Sequence, residues 1–103
     1  MADVTNYAVI FYGSPDGYLG MRAQIALYDG ATVLGYVHFH DPGMPFPADS
    51  QPGHILMQLP SAMFESVIEM LRIEAPVRFY FTGARAFLGT YSEALGEEEG
   101  SAG

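Results

Sequence analysis

A chain of 103 residues with twelve acidic side chains, four arginines, no lysine and no cysteine carries a formal net charge of −8. This length holds one domain and one core, and the missing cysteines exclude disulfides, thiolate metal ligands and cysteine nucleophiles. The missing lysine removes Schiff-base chemistry and the phosphate-binding lysine of P-loop proteins, while the negative field opposes nucleic acid and anionic membranes as partners.

Half of the residues are apolar, enough for a globular interior. The first residues do not pair a basic region with an apolar run, and no stretch nears the ~20 apolar residues of a spanning helix. A cytoplasmic location is therefore expected.

Residues Tyr7 to Tyr12 are rich in strand formers and end at the turn cluster Gly13-Ser14-Pro15-Asp16-Gly17. Apolar side chains at both parities predict a strand covered on both faces. The next segment alternates, with Leu19, Met21, Ala23, Ile25 and Leu27 on one face and Arg22 and Gln24 on the other. It leads through Asp29-Gly30 into a partner strand. A three-residue loop, Tyr28-Asp29-Gly30, sets Ile25 against Val33 and Met21 against Val37. In that register His38 and His40 lie on the polar face beside Arg22 and Gln24.

Residues 41–53 read DPGMPFPADSQPG, and four prolines in thirteen residues predict a stiff loop carrying Met44 and Phe46. A short strand is possible from His54 to Leu59. Ser61 to about Ile73 is an amphipathic helix, with Phe64, Val67, Ile68 and Leu71 forming a stripe widened by Met63 and Met70. Two strands follow at Val77–Thr82 and Ala86–Ser92. A Gly83-Ala84-Arg85 turn between them would place Phe81 opposite Phe87 and Val77 opposite Tyr91. The expected architecture is α+β: a curved antiparallel sheet or partly open barrel of five to six strands with one amphipathic helix. Residues 1–95 form a single domain, and the acidic tail from 96 to 103 is expected to be disordered.

His38 and His40 stand two apart on a strand, so both imidazoles point the same way and can reach one divalent ion. With His54 beyond the proline-rich loop they form the candidate metal set. Tyr36, Phe64 and Phe79 are the candidate lining of a small-ligand pocket between helix and sheet. No nucleophile elbow, dinucleotide fingerprint, P-loop or metalloprotease motif is present, so whether the chain is an enzyme stays open.

The stretch LRIEAPVRFYF (Leu71–Phe81), followed by FLGTYSEALGEEE (Phe87–Glu99), resembles the C-terminal end of a family of small uncharacterised bacterial proteins. The resemblance implies a bacterial, cytoplasmic origin; it brings no activity and no functional residue. The leading functional expectation is a non-catalytic interaction module, homodimeric through an open sheet edge or the Met44–Phe46 loop, with an acidic surface suited to a basic protein partner. The alternatives are a divalent-metal protein or small metalloenzyme built on the histidines, and a small-ligand binder.

Overall fold

The computed structural model describes residues 2–90. Among these residues seven strands form two sheets. The first sheet has the order β1-β6-β7, built from β1 (Ala2–Val4), β6 (Val77–Thr82) and β7 (Arg85–Thr90). The second has the order β2-β3-β4-β5, built from β2 (Asn6–Phe11), β3 (Ala23–Asp29), β4 (Thr32–His40) and β5 (Ile55–Pro60). A 3-10 turn (Ser61–Met63) leads into helix α1 (Phe64–Ile73), so the expected helix is present over its expected span. The α+β architecture holds, as two sheets and not as a closed barrel. The acidic tail and the last two residues of the expected final strand lie outside the described residues.

Alternation sorts the side chains of the four-stranded sheet. Ala23, Ile25 and Leu27 on β3 and Val37 and Phe39 on β4 turn inwards, joined by Ile55, by Val67 of α1 and by Phe79 and Ala86 of the other sheet. Both sheets and the helix thus share one core. Phe64 caps it, its ring 5.0 Å from Phe39 and 4.9 Å from Phe11.

Both hairpin registers differ from expectation, with different consequences. Between β3 and β4 the loop is Gly30-Ala31, Asp29 pairs with Thr32, and a bulge interrupts the ladder between Leu27 and Tyr28. Ile25 therefore faces Val37, not Val33. From Ala23 to Leu27 the displacement is an even number of positions, so the side chains opposite this stretch keep their expected faces. Past the bulge the parity changes, with Val33 opposite Tyr28 and Leu34 packed against the core. The bulge brings Gly35 opposite Leu27 and beside Ile55 of β5, where a Cβ would meet the Ile55 carbonyl oxygen at 2.1 Å. Only glycine fits that approach.

Between β6 and β7 the slip is a single residue. Gly83 and Ala84 both adopt positive φ (59° and 66°), the two-residue type I′ geometry whose twist suits a hairpin. Thr82 then pairs with Arg85, Phe81 with Ala86 and Tyr80 with Phe87. Ala86 enters the core, while Phe87 stacks on Tyr80 with ring centroids 5.0 Å apart.

Three further features depart from the sequence reading. Leu19 does not belong to a strand: it sits at φ 52° and is 78% exposed. The possible short strand exists but runs parallel to β4, with Val37 opposite Met57 and His38 opposite Gln58. Finally, β2 is an edge strand, mostly exposed, and not the doubly covered strand its apolar composition predicts.

Candidate functional site

The outward face of the four-stranded sheet carries the histidines. Gln24 pairs with His38, and His38 with Gln58 on the far side, so three polar side chains cross the sheet in one row. His40, expected to face water, is only 3% exposed. The proline-rich loop roofs it, with the Phe46 ring 5.1 Å from the imidazole.

Burial obliges that imidazole to use both nitrogens. Nδ1 lies 2.6 Å from the Gly20 carbonyl oxygen, which can only accept, so Nδ1 donates. Nε2 lies 2.6 Å from Oε1 of Gln58. The Gln58 amide nitrogen is 3.4 Å from Nδ1 of His38, and His38 Nε2 donates to Oε1 of Gln24 at 3.2 Å. The result is a relay, Gly20–His40–Gln58–His38–Gln24. Burial lowers the pKa of His38, the nearby His40 lowers it further, and the hydrogen bond from Gln58 opposes both.

The three candidate metal ligands are not gathered around a common point. His40 has both ring nitrogens engaged, and an amide stands between it and His38. His54 is exposed and meets the Tyr36 ring edge-on at 6.0 Å. Among the described residues no group of three or more histidine, aspartate or glutamate side chains is arranged to hold a metal ion.

The expected ligand pocket is likewise divided. Phe79 is 1% exposed within the core, and Phe64 packs on Phe39 at the inner face. Tyr36 sits on the opposite face, stacked on His38 with centroids 6.3 Å apart. The sheet itself separates Tyr36 from the two phenylalanines. A cleft of about 270 Å³ does exist where β1 passes into β2, but Val4, Thr5, Asn6, Tyr7, Leu71, Glu74 and Val77 line it instead.

Loop contacts secure the β5 edge and reach β7. Arg22 donates through Nε to Asp41 (2.7 Å), through Nη1 to the carbonyls of Tyr12 and Ser14, and through Nη2 to that of Pro15. This fan of bonds pins the 12–15 turn to the start of the proline-rich loop. It also holds the Asp41 carboxyl below the usual carboxylate range, assisted by a hydrogen bond from Ser61. Further along the same loop, Asp49 accepts from the Gln58 amide N–H with one oxygen (2.8 Å) and from that of Ala86 with the other (3.0 Å). Ser50 exchanges both backbone hydrogen bonds with Leu56. The loop therefore occupies the free edge of β5 and ties it to β7. Sequence reasoning assigned this loop an interaction role through Met44 and Phe46; Asp49 is the residue it missed, because nothing in a lone aspartate signals two backbone partners.

Among the described residues no comparable cover lies over β2. Its six residues, Asn6–Phe11, include no charge, no proline and no bulge, the usual devices that stop one edge from pairing with another. Val9, Ile10 and Phe11 are 38%, 49% and 64% exposed. The uncharged stretch extends from Val4 to Pro15 in a chain that is otherwise rich in acids. No helix among the described residues is long and apolar enough to cross a membrane. No family model, no curated protein and no solved structure matches this chain.

Proposed function

We propose that this protein is a non-catalytic interaction module that self-associates by adding a strand to β2. The observation that carries the reading is the contrast between edges. One loop spends Asp49 and Ser50 on satisfying the N–H groups of β5 and β7, while β2 keeps a bare apolar ladder side. An exposed, uncharged edge strand is a ready template for another strand. A second copy is the favoured occupant: two chains of charge −8 repel least where neither carries charge, and Val4–Pro15 is such a stretch.

Sedimentation of the wild type across a concentration series tests this. A monomer–dimer equilibrium is expected, with Val9→Lys weakening it at least about tenfold, or about 1.4 kcal/mol. Val9 is 38% exposed, so the variant should melt like the wild-type monomer at low concentration. Association should strengthen with added salt, which screens repulsion between like-charged copies. A strict monomer at high concentration would refute the reading, as would a dimer indifferent to Val9→Lys.

A further inference from the structure

The geometry points to a single register for that self-association: an antiparallel pairing of β2 with β2 of a second copy about a two-fold axis at Val9. The inference rests on the proposed use of the β2 edge and goes further, because it fixes which atoms meet.

The Tyr12 amide N–H bonds to the Arg22 carbonyl, in line with the β2–β3 register, in which each residue pair sums to the same position. Along an antiparallel strand, the N–H and C=O of one residue point together, and successive residues alternate between the two sides. Asn6, Ala8, Ile10 and Tyr12 therefore address β3. Tyr7, Val9 and Phe11 present their backbone groups to the open side.

Three outward residues with a central Val9 are self-complementary. Centring the axis on Val9 sets Val9 against Val9 of the second copy and Tyr7 against its Phe11. Every outward donor and acceptor of β2 then finds a partner, making about six hydrogen bonds. Centring on Tyr7 runs the ladder off the strand, because the chain leaves at Thr5 to join β6 as β1. Centring on Phe11 runs it into the Gly13–Gly17 turn region.

Side-chain shape agrees with this register. On the inner face, Tyr7 meets Phe11 of the second copy as a cross-strand aromatic pair, beside the Phe11–Phe64 contact already present. On the outer face, Ala8 meets Ile10, small against large. The two four-stranded sheets would merge into one of eight strands.

The absence of cysteine makes disulfide mapping direct. Three single variants, Tyr7→Cys, Val9→Cys and Phe11→Cys, are oxidised gently, each checked for wild-type melting. A hydrogen-bonded pair has Cα atoms about 5.5 Å apart, within disulfide reach. Val9→Cys alone should convert the monomer band to a dimer band. Tyr7→Cys and Phe11→Cys should each fail alone and cross-link when mixed. Self-linking of Tyr7→Cys or Phe11→Cys in place of Val9→Cys overturns the register while leaving the β2 edge in use. Cross-linking of Val9→Cys only when mixed with Tyr7→Cys or Phe11→Cys moves the axis to Ala8 or Ile10 and overturns the register alone. A sedimenting dimer with no cross-link in any variant or pairwise mixture overturns the register and the edge together.

Discussion

His38 links the outer face to stability through its protonation. Burial lowers its pKa, so below the unfolded value of about 6.5 the unfolded chain binds the proton more readily than the folded one. The stability contributed by neutral His38 is complete above that pH and is lost as the pH falls through the folded value. Urea unfolding at pH 8, 6.5 and 5.5 should show declining stability, and His38→Gln should flatten the decline. An equal slope in the variant would remove His38 from the account. Asp41 acts in a lower window: its pKa is depressed by Arg22, so its contribution is present above about 3.8 and fades only below it.

The faces of His38 and His40 were legible in the sequence because alternation survives an even register shift. The burial of His40 was not, because it depends on where Phe46 and Gly20, distant in the chain, come to rest. A histidine pair spaced for a metal thus serves as two stations of a hydrogen-bond relay, with Gln58 inserted from a strand whose parallel pairing the local pattern does not reveal.

At the scale of elements, α1 was the most legible part. Its spacing of Phe64, Val67, Ile68 and Leu71 names the inward face, and Pro60 and Pro76 bound it on either side. The strands were harder to read, since turn chemistry decides register: the left-handed Gly83-Ala84 pair shortens the second loop by one residue and moves Phe87 onto Tyr80. The proline-rich segment was legible as a stiff loop, but its task as an edge cover was not.

That task makes a testable claim. Asp49→Ala leaves the Gln58 and Ala86 amides without their partner at a half-buried position, costing about 2–3 kcal/mol in all. For a domain of this size that corresponds to a fall in melting temperature of roughly 10–20 °C. Asp49→Asn, which keeps one accepting oxygen, should fall between the two. An unchanged melting temperature in Asp49→Ala would mean the loop does not hold the two sheets together.

For the whole molecule, the composition excludes much and selects little. An acidic chain without cysteine or lysine is turned away from several chemistries, but the function proposed here depends on an uneven treatment of edges that composition cannot express. The apolar run Tyr7–Tyr12 is legible as a strand, but among the described residues it is an edge strand with five of the six β2 residues exposed, and not a strand covered on both faces. Under the proposed pairing, a second molecule would supply the neighbour at its open edge.

Amide hydrogen exchange along β2 tests the proposed pairing directly, at protein concentrations well above and well below the expected dissociation constant. The inward amides of Ala8 and Ile10 should be protected at both concentrations. Those of Val9 and Phe11 should be protected only at the higher one and exchange freely on dilution. Free exchange of Val9 and Phe11 at the concentration where the protein is dimeric would contradict strand pairing at this edge.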